Sequence, residues 1–173
     1  LGVLLSKASE TVRKSEIGKR TREFIRNDQL QPSDKFKPIR CFDVNMNKFD
    51  WNSVKGKKFT IIVGGLWCMT HGMDNSLPKQ YFESIKEKYG DSHQLILYVY
   101  CNDSEEMKEE IKEFGLEDYT VISDFKGRAT PFTSIYNCQA TPTCIYIDAE
   151  GIIVNIMEGL DPNYLENEFI LKQ

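Results

Sequence analysis

Apolar and polar positions along this chain repeat in two periods, and the switches between them mark its elements. Phe59-Thr60-Ile61-Ile62-Val63 is an apolar run of the kind that forms a central strand covered on both faces. After it, Leu77, Tyr81, Phe82, Ile85 and Tyr89 recur at helical spacing, with Gly90 placed as the stop. Gln94 to Tyr100 reads as a second buried strand. Asp103 or Ser104 can cap the helix that follows, whose buried stripe is Met107, Ile111 and Phe114 and whose stop is Gly115. Strand, helix and strand in this order imply a parallel pair with a crossover. Thr120 to Ile122 reads as a short strand and Pro131 to Tyr136 as a short helix.

The last third changes character. Thr143 to Ile147 and Ile152 to Ile156 are strands separated by Asp148-Ala149-Glu150-Gly151, the residues of an antiparallel turn. Asp161-Pro162 supplies an N-cap and a first-turn proline for a closing helix through Leu171. The expected fold is α/β, a mixed central sheet (βαβ then ββα) flanked by helices. Arg40 to Trp51, around Asn45-Met46-Asn47-Lys48, adds an N-terminal β-hairpin extension.

Ahead of this lies a different segment. Ser15 to Asn27 carries Ile17, Thr21, Phe24 and Ile25 on one helical face among Arg13, Lys14, Lys19, Arg20, Arg22 and Arg26. A solvated helix, laid against the domain or leading in from a preceding one, fits better than a membrane-surface helix, because the apolar face is small. Asn27 to Lys37, with Pro32 and Pro38, reads as linker. The expected division is residues 1–32 as a basic helical lead-in and 33–173 as the domain.

Composition narrows the function classes. With 173 residues and a 40% hydrophobic fraction, the chain can bury a core of its own. Its net charge of −4 and lack of interleaved basic and aromatic residues exclude nucleic acid as an expected partner. No apolar stretch approaches the roughly 20 residues that span a bilayer, and Leu1 to Leu5 is too short for a signal sequence. A membrane tether or a further domain ahead of Leu1 stays open.

Five cysteines, at 41, 68, 101, 138 and 144, show no paired metal-ligand spacing, and no cofactor is expected. Cys138 and Cys144 read as buried packing, Cys41 and Cys101 as exposable thiols, and His93 as a solvated residue in a polar turn. Chemistry concentrates at Leu66-Trp67-Cys68-Met69-Thr70-His71-Gly72-Met73, between the first core strand and its helix. A cysteine at a helix N-terminus feels the macrodipole and unpaired N–H groups, both favouring thiolate, and a protonated His71 adds a positive charge. Cys68, Met69, His71 and Met73 also form a soft donor set suited to Cu(I), a less favoured alternative. Peroxidase chemistry is disfavoured, since it wants a hydroxyl three residues before the reactive cysteine and Gly65 stands there.

The order of elements, Trp67-Cys68 after the first core strand, and Thr141-Pro142-Thr143 before the hairpin resemble the thioredoxin fold. More narrowly they resemble the TlpA/ResA-like thiol-disulfide oxidoreductases. Asn47-Lys48-Phe49, Ser123-Asp124-Phe125-Lys126-Gly127 and Tyr136-Asn137-Cys138-Gln139-Ala140 continue the pattern, which covers roughly Ser33 onward. The resemblance implies a cis bond before Pro142, Thr141 and Pro142 shaping a substrate groove beside Cys68, and Trp67 shielding the sulfur. It implies protein or small-molecule thiols and disulfides as partners, and an extracytoplasmic location in a bacterial envelope.

Two residues depart from the family pattern. His71 stands where the second cysteine of Cys-x-x-Cys belongs, and Ile62 stands for the buried acid of the preceding strand. The expected activity is therefore exchange through Cys68 alone, with His71 tuning it and Cys144 as the candidate resolving thiol. The alternative is a redox-inactive domain that keeps the fold for binding or structure.

Overall fold

The computed structural model describes residues 2–26, 29–65, 82–87 and 90–160. Five strands form one sheet in the order β3-β2-β1-β4-β5. They are β1 (Lys58–Gly64), β2 (His93–Val99), β3 (Thr120–Ile122), β4 (Thr143–Ile147) and β5 (Ile153–Glu158). β1 pairs in parallel with β2, and β2 with β3, while β4 runs antiparallel to both β1 and β5. The parallel unit followed by an antiparallel hairpin is the order expected from the hydrophobic pattern.

Alternation along the strands divides the core into two layers. Ile62, Leu97, Val99, Cys144 and Tyr146 face one side, packed with Phe82 and Ile85 of the helical residues 82–87 (α4) and with Met107 and Ile111 of α5 (Ser104–Phe114). Ile61, Val63, Ile96, Tyr98 and Ile145 face the other, against Phe132 of α6 (Pro131–Ile135), Tyr136 and Cys41. Asp103 caps α5 by accepting from the Glu105 and Glu106 amides, and Gly115 ends it in the left-handed conformation at φ 62°. The Asp148 turn closes β4 to β5, with its carboxylate accepting from the Ile152 amide at 2.7 Å and Gly151 at φ 80°.

Two expectations need correction, while the N-terminal hairpin is kept in short form: Phe42 bridges Lys48, the Asp43 amide donates to the Asn47 carbonyl and the Phe49 amide to the Cys41 carbonyl, and the Asp43 carboxylate accepts from the Asn45 and Asn47 amides in the turn. Asp50 then caps a 3₁₀ turn at Trp51–Val54, ending any strand. The stretch read as linker is fastened from Leu30 onward: Leu30 N–H donates to the Ile135 carbonyl, Ser33 N–H to the Ile153 carbonyl and Phe36 N–H to the Gly151 carbonyl. Phe36 enters an aromatic cluster with Trp51, Phe59 and Tyr136, an apolar anchor that the polar composition of the stretch obscures. Finally, Cys41, Cys101 and His93 are all buried rather than exposed.

Before this core come α1 (Gly2–Lys7), α2 (Glu10–Lys14) and α3 (Glu16–Arg26), with α3 beside α6. The expected closing helix after Asp161 lies outside the described residues.

Candidate active site

The C-terminal end of β1 is where the geometry converges. Gly64 is the last strand residue, and its carbonyl accepts from the Tyr100 amide at 3.0 Å. A Cβ placed on Gly64 would lie 3.4 Å from the Thr141 Cβ and 3.5 Å from the Pro142 Cα, ordinary packing distances that put that corner directly against the strand end. The Thr141–Pro142 peptide bond is cis. The corner is held from both sides: Thr143 Oγ1 donates to the Ala140 carbonyl at 2.7 Å, and the Pro142 carbonyl accepts from the Gly159 amide at 2.7 Å.

Thr141 and Pro142, both half-buried, are thus brought against the strand end. Trp67, Cys68, Met69, His71 and Met73 lie outside the described residues, so the substrate-contact, thiolate and Cu(I) readings of that stretch fall there too. Among the described residues, no cluster of three His, Cys, Asp or Glu could hold a metal.

The four described cysteines are buried and share one electrostatic character. Burial pushes the Cys144 thiol up to about 12, and its Sγ donates to the Gly159 carbonyl at 3.4 Å. Cys138 is likewise raised to about 12 by burial, and so is Cys41, where the nearby Asp124 carboxylate adds to the effect. Cys101 is raised to about 11, again by burial, against a hydrogen bond from Ser123 that lowers it. A thiol held protonated at neutral pH is a poor nucleophile. Cys144 faces the layer that contains α4, as the alternation indicated, but as a protonated, hydrogen-bonded thiol.

Sequence reasoning missed a polar cluster on the opposite layer. The Tyr98 hydroxyl lies 2.6 Å from Asp124 Oδ1 and 2.6 Å from Thr130 Oγ1, all three residues buried. Desolvation and the Asp124 charge raise the Tyr98 pKa, so the phenol stays protonated and donates to the carboxylate. Lys126 Nζ stands 3.9 Å from Asp124 Oδ2. The signal was present in Ser123-Asp124-Phe125-Lys126-Gly127, read only as a landmark because nothing local says that an aspartate in a loop is buried.

His93 opens β2 with Nε2 2.7 Å from Thr60 Oγ1, and burial, with Lys58 nearby, lowers its pKa to about 4. It lines a hollow of about 480 Å³ with Lys57, Phe82, Asp91 and Tyr119. A second, of about 600 Å³, runs between α5 and the edge of β3. Neither is lined by Gly64, Thr141 or Pro142, so neither belongs to the strand-end site.

No family model and no curated protein matches the sequence. Solved structures do match. A domain of a possible thiol-disulfide isomerase from Cytophaga hutchinsonii superposes with a TM-score of 0.67 at 18% identity, over 84% of this chain and 95% of that one. The fold is thioredoxin-like. The thioredoxin domain of a thiol-disulfide oxidoreductase from Bacteroides vulgatus gives 0.62 at 19% identity, over 82% and 99%. An exposed lipoprotein thioredoxin from Streptococcus pneumoniae gives 0.58 at 21%, over 74% and 94%. At these identities the likeness establishes the thioredoxin-like architecture and leaves the chemistry to the residues of this chain.

Proposed function

We propose that this domain exchanges thiols and disulfides through Cys68 alone. The observation that supports this most is the state of the other cysteines: all four are buried and raised to about 11 or 12, which leaves Cys68 as the candidate nucleophile. Cys68 follows Gly65 by three positions, and three residues of chain reach at most about 11 Å. That tether belongs to the strand end that carries the Thr141–Pro142 corner. The TlpA/ResA-like pattern of the sequence and the thiol-disulfide oxidoreductases among the structural neighbours support thiol-disulfide chemistry in general.

In the proposed step the Cys68 thiolate attacks one sulfur of a substrate disulfide, forming a mixed disulfide and releasing the other half as thiolate. A second external thiolate then attacks the substrate sulfur, returning Cys68 as thiolate and leaving a new external disulfide. His71, protonated, favours the thiolate. Thr141 offers backbone groups to an extended substrate peptide as an added strand, and Trp67 covers the reacting sulfur. Because Cys144 is held as a protonated donor, the resolving thiol comes from outside the chain.

We also propose an extracytoplasmic location, in keeping with the exposed lipoprotein among the neighbours. Incubation with oxidised glutathione followed by intact-protein mass spectrometry tests the function. One glutathione adduct on the native protein, absent in Cys68→Ser and retained in Cys144→Ser, is expected. No adduct, or an adduct that survives Cys68→Ser, overturns the proposal.

A further inference from the structure

The first 26 residues carry seven Lys and Arg against three Glu, in a chain whose net charge is −4; the remaining residues therefore carry a net −8. Two of the three glutamates are matched locally, Glu10 by Lys14 at 2.6 Å and Glu16 by Lys19 at 3.5 Å, which leaves a positive excess on α1 to α3. The charge of the protein is thus split by region, basic in the helical lead-in and acidic in the domain.

The lead-in is built as a unit. Ser15 turns α2 into α3, with Oγ donating to the Val12 carbonyl at 2.6 Å and accepting from the Gly18 amide at 3.2 Å. A Cβ at Gly18 would run into the carbonyl oxygens of Val12 and Arg13, so glycine lets the two helices close to backbone contact there. Arg22 then reaches back to donate to the Arg13 carbonyl at 2.6 Å.

From this unit, large apolar side chains point into solvent. Leu4 is 72% exposed, Val12 49%, Ile17 74% and Ile25 42%. Among the described residues, Met46 is the other large hydrophobic side chain so exposed. The sequence showed a small apolar face on α3; the structure adds Leu4 of α1 and Val12 of α2 to the exposed set. Apolar groups of this kind call for a partner that is itself apolar. The acidic domain of a second copy offers charge to match, but among its described residues Met46 is the large hydrophobic side chain exposed to the same degree. An anionic bilayer supplies both, negative headgroups for the cations and acyl chains for the apolar side chains.

We propose that α1 to α3 form a docking surface for an anionic phospholipid bilayer. The acidic domain is repelled by the same headgroups, so it stands away from the membrane with its site free. This surface does not depend on the thiol chemistry.

Co-sedimentation of the full chain with vesicles of phosphatidylglycerol and phosphatidylcholine, or of phosphatidylcholine alone, tests it. Binding to the anionic vesicles at low salt, at least about tenfold tighter than to neutral ones and lost at high salt, is expected. The charge-neutral double variant Leu4→Gln/Ile17→Gln, with an unchanged far-ultraviolet circular dichroism spectrum, should weaken it about tenfold. Equal binding to both vesicle types, binding to neither, or anionic binding unchanged in the double variant overturns the proposal. So does a dimer in analytical ultracentrifugation that the double variant dissolves while vesicles bind neither protein.

Discussion

Toward α4 and α5 the sheet presents Ile62, Leu97, Val99, Cys144 and Tyr146 to an almost wholly apolar layer. Toward α6 it presents Tyr98 among Phe132 and Tyr136, with buried hydroxyl and carboxylate groups joined across loops. On that side the Tyr136 hydroxyl donates to the Lys37 carbonyl at 2.7 Å and accepts from the Lys37 amide at 2.9 Å, clasping the incoming chain. The first layer is mostly apolar burial with few polar pairs, such as His93 with Thr60; the other fixes where particular segments must lie, because a buried polar group is costly unless its partner is in place. Such pairing sets the geometry of loops that strand periodicity does not specify.

The largest expected effect breaks the polar side of the comparison through packing. Phe132→Ala should remove about 3–5 kcal/mol of stability in urea titration, since the ring is fully buried against Tyr98 and Tyr136 at centroid distances of 4.3 and 5.2 Å. A loss under 1 kcal/mol would show that the layer collapses around the gap.

The apolar side is tested by acid, because His93 sets a titratable ring into it. The folded pKa, about 4, lies below the unfolded value of 6.5, so the unfolded chain takes up a proton that the native state refuses. The stability this gives is complete above pH 6.5 and is lost as pH falls toward 4, by about 3 kcal/mol in all. His93→Gln should flatten that slope in urea melts across the window; an unchanged slope assigns it to other groups.

Smaller again is Tyr98→Phe, which strips the donor from Asp124 while keeping the ring. It should cost about 1–3 kcal/mol, and Tyr98→Phe with Asp124→Leu should cost less than the two single changes summed. Additive losses would mean that the pair does not act together. Asp103→Ala, removing the cap of α5 at the surface, should cost about 1 kcal/mol in the same assay.

This contrast also explains what the sequence made legible. Ile61 and Ile62 announce a central strand through their run alone, and Gly115 and Gly151 mark their stops because the backbone needs positive φ there. The Thr141–Pro142 corner was legible as a motif, and its seat on Gly64 required the fold. The burial of His93 was not legible, because its polar neighbours Asp91 and Ser92 conceal the start of β2. Neither was the anchoring of Phe36, whose partners Trp51, Phe59 and Tyr136 come from separate parts of the chain. Asp124 was visible as a residue and invisible as a buried one, since Tyr98 and Thr130 reach it only through tertiary structure.

The central claim concerns the one cysteine set apart from the buried four. The rate of iodoacetamide alkylation at Cys68, followed against pH by peptide mass spectrometry in the native protein and in His71→Ala, tests it most directly. Modification at Cys68 alone is expected until the chain unfolds, with an apparent pKa below the roughly 8.5 of a free cysteine that rises toward that value when His71 is removed. An apparent pKa at or above about 8.5, unmoved by His71→Ala, would contradict it.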